Sequence, residues 1–272
     1  MDRHNKIKSL KSKADRYDLY LKSVQAPDVE IPFFNRVYRK EYGRSPVVLR
    51  EDFCGTFAVC CEWVKSRTDR LAVGVDIDPE PLQWGRQNNL VAVKPAQQKR
   101  IELLQLDVRK IMGRKADVLS AQNFSFWIFK SRKELLKYFH AAYANMAPHG
   151  VFVLDMMGGS ETIEEGHIDT TSYKDFDYLW EQARFDPITH DCTFYIHFHF
   201  KDGSEMNRAF VYHWRFWTIP EVREVLLEAG FKRADVYWEG TDLETEEGNG
   251  VYTRRKQAPS EPAWISYIVA VK

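Results

Sequence analysis

The sequence predicts an α/β protein: a doubly wound, mostly parallel sheet with an antiparallel β insertion after its fifth strand. Three observations predict it. First, short apolar runs recur, each followed by a segment of helical periodicity: Val47-Val48-Leu49, Leu71 to Val75, Ile101 to Leu106, Ala116 to Ser120 and Val151 to Asp155. Strands and helices alternating at this spacing form parallel βαβ units, whose right-handed crossovers place helices on both faces. Second, acidic residues end the first three runs: Glu51 with Asp52, then Asp76, then Asp107. Third, the period drops to two after residue 170. The segments 176–186, 191–200 and 205–217 are rich in aromatics and are separated by Asp186-Pro187 and Lys201-Asp202-Gly203-Ser204. That is the pattern of an antiparallel meander with hairpin turns.

Each element follows from its residues. A helix is expected over 5–24, with Tyr17, Leu19, Tyr20 and Val24 among its apolar positions and Pro27 ending it; the Lys6 to Lys13 stretch is a solvated face. A second helix covers 31–42 and closes at Gly43. The first strand enters a turn at Phe53-Cys54-Gly55-Thr56, followed by a helix over 57–66. Pro79 suits the first turn of the next helix, which runs to Leu90. The fourth strand leads into Gln122-Asn123-Phe124-Ser125, and a helix over 131–146 closes at Pro148-His149-Gly150. Thr218 caps a helix over 219–229, with Gly230 just past its end. Strands over 232–239 and 264–271 complete the chain, and the polar, glycine-containing stretch 240–262 between them reads as a mobile loop. The expected organisation is a helical segment over 1–45, a core over 46–170, the aromatic insertion over 171–217, and the remainder of the core over 218–272.

The 272 residues suffice for one large α/β domain. Lysine plus arginine number 39, as do aspartate plus glutamate, so the chain lacks the broad basic field that phosphate backbones attract, which argues against a nucleic-acid partner. The polar N-terminus has no signal-peptide core, and no apolar run approaches membrane-spanning length. Cys54, Cys60, Cys61 and Cys192 are not spaced as a metal knuckle, and a reduced, cytoplasmic protein is expected.

In an open α/β sheet, ligands bind beyond the carboxyl ends of the strands. Carboxylates placed there suit a ligand with a diol, an exocyclic amine and a positive charge. Asp76 follows Gly55 by 21 residues, as does a carboxylate that accepts both ribose hydroxyls. The plain alternative is that such acids cap the next helix, as Asp78 does before Pro79.

The runs Val47 to Thr56, Gly74-Val75-Asp76-Ile77-Asp78 and Leu106-Asp107-Val108 resemble motifs of the class I S-adenosylmethionine-dependent methyltransferases. The string LREDFCGT, with Asn123-Phe124-Ser125 and Tyr212 to Trp217, resembles a subgroup of that family. The likeness spans roughly 46–157 and 218–272. It implies a Rossmann-like sheet of seven strands with the last antiparallel, S-adenosylmethionine as cofactor and S-adenosylhomocysteine as product. Within it, Glu51 holds the methionine end, Asp76 with Ile77 the ribose, and Asp107 with Val108 the adenine. Asp52, Phe53, Cys54, Gly55 and Thr56 form the turn around the cofactor, and Asn123, Phe124 and Ser125 lie near the transferred methyl. The family's glycine-rich turn has glycine at the places of Phe53 and Phe57, and an apolar residue at that of Asp52. Lost glycines count more against a dinucleotide oxidoreductase, which must seat a pyrophosphate, than against a ligand without phosphate.

Insertions at the position of 171–217 often build the acceptor pocket of that family. His197 and His199 would share one strand face, but no third residue is spaced to complete a metal site. His213 is a candidate base or acceptor contact, and Arg215 a clamp for an acceptor carboxylate, the alternative being an ion pair with Glu181 or Glu205. The N-terminal segment is expected to lid the cofactor, with Tyr20 offering a cation–π contact to the sulfonium or else simply packing. The expected activity is in-line methyl transfer to a small-molecule acceptor. A protein or RNA methyltransferase, and a non-catalytic S-adenosylmethionine-binding regulator, are the alternatives.

Overall fold

The computed structural model describes residues 9–242 and 248–272. The expected helical residues 5–8 and loop residues 243–247 lie outside the described residues. Strands β1 (Val48–Asp52), β2 (Leu71–Asp76), β3 (Ile101–Gln105), β4 (Ala116–Ala121) and β5 (Met146–Gly158) pair in parallel in the order β5-β4-β1-β2-β3. The chain thus reverses its direction of travel across the sheet between β1 and β4, and that switch point is where an open α/β sheet accepts a ligand. A separate antiparallel sheet follows, built from β6 (His167–Ser172), β7 (Phe176–Phe185), β8 (Asp191–Phe200) and β9 (Glu205–Arg215). Strands β10 (Arg233–Thr241), β11 (Gly248–Arg255) and β12 (Trp264–Val271) then extend the main sheet beyond β5 in the order β12-β10-β11. β12 runs antiparallel to β5.

Helices α1 (Arg16–Ser23), α2 (Pro27–Tyr42), α3 (Ala58–Ser66), α4 (Pro79–Asn88), α5 (Pro95–Gln98), α6 (Arg132–Asn145) and α7 (Ile219–Glu228) complete the fold. Alternate strand residues divide between its two faces. Ala72, Val118, Val151 and Val153 pack with α2 and α3, whereas Val73, Leu119, Phe152 and Leu154 pack with α6 and α7. α7 has the expected Thr218 cap, which accepts the amide hydrogen of Glu221 while Glu221 accepts that of Thr218.

Several elements differ from expectation. The first helix is broken: a 3₁₀ turn at Lys11–Lys13 ends at extended Ala14, and Asp15 caps α1 by accepting the amide hydrogens of Tyr17 and Asp18. Pro27 opens α2 rather than only closing the segment before it, because a proline lacks nothing a first helical turn needs. β5 begins before the expected turn at Pro148-His149-Gly150, and β6 adds a strand ahead of the three foreseen. The main sheet has eight strands because β11 forms inside the stretch that reads as a loop. Its composition is polar because it is an edge strand exposed on both faces, anchored chiefly by Tyr252. That ring meets Tyr267 at 4.7 Å, and its hydroxyl donates to Glu239 at 3.1 Å.

α1 is tied both to the insertion and to the core. Leu19 packs with Phe176, Ile196 and Phe198 of the antiparallel sheet. On the other side, Arg16 pairs with Glu80, and Trp84 Nε1 donates to Asp15 at 2.9 Å. The helix therefore roofs the space between the two sheets.

Candidate active site

Beyond the carboxyl ends of β1, β2 and β4 lie two cavities, one of about 450 Å³ and one of about 440 Å³. They share Tyr20, Asn123 and Tyr212 in their walls. The first is polar, with Gly55, Thr56 and Asp76 on its core side and Tyr17 and Phe210 on its roof. The second is walled largely by aromatic rings, among them Phe124, Trp180, Trp214 and Trp264.

The turn after β1 shapes the polar cavity. Phe53, Gly55 and Phe57 have φ of +59°, +50° and +49°, so all three adopt the left-handed conformation that glycine tolerates and bulky residues avoid. Each phenylalanine costs about 1–3 kcal/mol in that region unless its surroundings impose it. Here they do. Phe57 is fully buried, and its ring occupies the space that a side chain at position 85 would need: a Cβ on Gly85 would lie 2.5 Å from Phe57 Cε1 and 2.4 Å from the Thr56 carbonyl oxygen. The Phe53 ring packs against Phe129 and Tyr138. The turn is tied to β2, since the Cys54 N–H donates to the Val75 carbonyl at 3.0 Å and the Gly55 N–H to Asp76 Oδ2 at 2.7 Å. A Cβ on Gly55 would meet nothing within 4 Å, so this glycine leaves open space where the backbone borders the cavity.

Of the residues singled out in the sequence, Phe53, Gly55, Thr56, Asp76 and Ser125 line the polar cavity. Phe124 lines the aromatic one, and Tyr20 and Asn123 line both. Asp76 also accepts the Asp78 amide hydrogen at 2.9 Å, and burial raises its pKa above the usual aspartate value. The others stand apart. Glu51 is 5% exposed and accepts the Cys60 amide hydrogen at 3.1 Å; burial pushes its pKa to about 7. Asp52 is buried beneath α6, accepting from Arg50 Nε at 2.7 Å and the Tyr138 hydroxyl at 3.2 Å. Cys54 and Val108 are core residues. Ile77 is 67% exposed beside Asp76. Asp107 borders neither cavity; the Arg109 guanidinium, 2.6 Å away, holds its carboxyl below the usual range.

The two catalytic candidates are not at the site. β9 alternates, so Tyr212 and Trp214 face the cavity and His213 faces solvent on the other side, 3.3 Å from the Thr193 hydroxyl. Arg215 lies 3.9 Å over the Trp217 ring and pairs with Glu221 at 3.2 Å, rather than with Glu181 or Glu205. His197 bonds Glu181 at 2.9 Å on the exposed side of the meander. Among the described residues no group of three or more histidine, cysteine or acidic side chains is arranged to hold a metal ion.

One residue at the site was not anticipated. Asp155, 7% exposed, accepts the amide hydrogens of Asn123 at 2.6 Å and Phe124 at 2.9 Å. Both residues are left-handed, with φ of +57° and +55°, so this carboxylate holds the strained pair at the junction of the cavities. Burial pushes its pKa to about 7. Its signal was present, for Asp155 ends an apolar run as Asp76 and Asp107 do. Asp78, read from the sequence as a helix cap, also lines the polar cavity; Arg16 and Gln25 there, and Asp169, Gln182 and Glu239 in the aromatic one, carried no sequence pattern.

No protein-family model and no curated protein sequence matches the chain. Solved structures do. DesVI of Streptomyces venezuelae superimposes with a TM-score of 0.67 at 20% identity, over 95% of this chain and 98% of that one. CalS10, an amino pentose methyltransferase of Micromonospora echinaspora solved with S-adenosylmethionine bound, gives 0.64 at 16% identity, over 99% of each chain. The sugar N-methyltransferase KedS8 of Streptoalloteichus sp ATCC 53650 gives 0.63 at 18% identity, over 94% of this chain and 92% of that one. At these identities the likeness is one of architecture: the chain has the Rossmann-like α/β fold of these methyltransferases, with an antiparallel sheet added to the core.

Proposed function

We propose that this protein is an S-adenosylmethionine-dependent methyltransferase acting on a small-molecule acceptor. The observation that carries the proposal is the pair of cavities, one polar and one aromatic, meeting at Tyr20, Asn123 and Tyr212 beyond the switch point of the sheet. Each is of the size that takes a small molecule. The residues present fit the cofactor. Gly55 leaves a cradle that any side chain would fill. Asp76 keeps free lone pairs for a ribose diol, and exposed Ile77 beside it leaves apolar surface for a purine to cover. Asp107 would reach an adenine amine only by leaving Arg109, so Asp76 carries the nucleoside end in this reading.

When bound, the cofactor supplies a methyl group that bonds to an acceptor lone pair as its bond to sulfur breaks, the electron pair staying on sulfur. The protein's part is to align and to exclude water, effects that supply roughly 7–11 kcal/mol in well-oriented reactions. α1 and the meander close over the junction, which Tyr20 and Tyr212 both line. Burial raises both phenols, which keeps them neutral. Asp155 fixes Asn123 and Phe124 where the two ligands would meet. The likeness to KedS8, a sugar N-methyltransferase, and CalS10, an amino pentose methyltransferase, favours a small acceptor over a macromolecule.

Calorimetry with S-adenosylmethionine, S-adenosylhomocysteine and NAD tests the proposal. The two sulfur ligands should bind and NAD should not. Asp76→Asn should weaken the sulfur ligands about 10–100-fold, the loss expected for charge-assisted hydrogen bonds. Folded protein that binds neither sulfur ligand, or binds them unchanged after Asp76→Asn, would overturn it.

A further inference from the structure

We infer that the acceptor taken by the aromatic cavity is a small molecule carrying a basic amine, captured as an ammonium ion that gives one proton to a lining carboxylate, Asp169 or Glu239, before the nitrogen lone pair so freed takes the methyl group; this rests on the methyltransferase reading above. Two independent features of the cavity carry the inference. The first is its charge. Asp169 and Glu239 line it, and among the described lining residues there is no lysine, arginine or histidine. This acidity is local, since the chain as a whole is neutral. The polar cavity, by contrast, includes Arg16 and Arg208 as well as its acids. Neither carboxylate is neutralised by a lysine or arginine among the described residues. Glu239 accepts from the Gly250 amide at 2.7 Å and the Tyr252 hydroxyl at 3.1 Å, both uncharged donors, and Asp169 lies 3.2 Å from His167. A carboxylate with spare lone pairs at a cavity edge favours a cation there.

The second feature is the wall. Trp180, Trp214, Trp264 and Tyr178 present ring surface to the cavity, and a cation near such faces gains cation–π attraction that a carboxylate or phosphate would not. Aromatic walls and two carboxylates agree on one ligand chemistry. They reject anionic acceptors and leave neutral alcohols without a partner for the charges.

The test uses three compounds on one skeleton, phenethylamine, 2-phenylethanol and 3-phenylpropionate, titrated against the full chain with and without S-adenosylhomocysteine. The readouts are tryptophan fluorescence, and calorimetry of S-adenosylhomocysteine on the same samples. The amine should bind at least about tenfold more tightly than the alcohol, with the carboxylate weakest. Glu239→Gln with Asp169→Asn should remove most of that preference while leaving the alcohol within about twofold and S-adenosylhomocysteine unaffected. Equal binding of amine and alcohol, a preference for the carboxylate, binding of none of the three, or an amine preference that survives both substitutions overturns the inference. The two readings fail separately. Bound S-adenosylhomocysteine without an amine preference removes the acceptor class alone, whereas an amine preference without S-adenosylhomocysteine binding removes the cofactor reading and leaves an amine-binding cavity.

Discussion

Gly85→Ala should destabilise this protein, although alanine is the better helix former. Gly85 lies in α4, where the exchange would ordinarily stabilise by about 1 kcal/mol. The added Cβ would instead lie 2.4 Å from the Thr56 carbonyl oxygen and 2.5 Å from Phe57 Cε1. Neither can retreat easily. The Thr56 carbonyl accepts from Asn89 Nδ2 at 2.9 Å, and Phe57 is fully buried with its backbone left-handed. Overpacking of this kind costs about 1–3 kcal/mol, and collision with backbone belongs at the upper end. The net loss is therefore about 1–2 kcal/mol, a fall in the urea midpoint of roughly 0.5 M with unchanged slope. Because Thr56 borders the polar cavity, S-adenosylhomocysteine affinity should fall as well. Phe57→Ala removes one of the two collisions, so Phe57→Ala with Gly85→Ala should be less destabilised than the sum of the single changes by about 1 kcal/mol. A Gly85→Ala protein that gains stability, or strictly additive effects in the cycle, would refute the claim that the ring at position 57 is accommodated by the missing side chain at position 85.

Other outcomes follow from the same geometry. Asp155 and Glu51 are both pushed by burial to about 7, from ordinary values of 3.8 and 4.5. Between those limits the folded state holds protons that the unfolded chain has released, so their joint contribution falls as pH rises from about 4 to 7 and is level above that. Asp155→Asn should flatten that part of the stability profile, measured as urea midpoints at pH 5, 6, 7 and 8; an unaltered slope would show that Asp155 is ionised throughout. His213→Ala, on the outer face of β9, should leave binding of both the cofactor and phenethylamine within twofold by calorimetry. Arg215→Ala should do the same while lowering stability by about 1 kcal/mol through loss of the Trp217 stack and the Glu221 pair, since such a contact is worth about that much.

What the sequence determined by itself was the succession of elements and the end of the sheet at which to look. Hydrophobic period is a local property, and it separates the parallel core strands from the aromatic meander without any knowledge of their neighbours. The acids that end the strands are local as well, which is why Asp76 could be named and why Asp155, bearing the same mark, could have been. Position within an alternating strand is also local, but which face is inward is not. His213 and Tyr212 are adjacent, and only packing against the core shows that Tyr212 meets the cavity. Ion pairing lies equally beyond local pattern, since Asp107 is held by Arg109, and Arg215 by Glu221 across a turn into α7. The edge strand β11 was hidden because its two solvent-facing sides leave no apolar period. The turn at Phe53-Cys54-Gly55-Thr56 shows the division most plainly. Its sequence lacks the glycines that its backbone conformation asks for, and the conformation persists because buried rings and the bare Cα of Gly85, on a different helix, hold it in place. Strain of that sort is sustained by contacts distant along the chain, so only the tertiary structure could decide it.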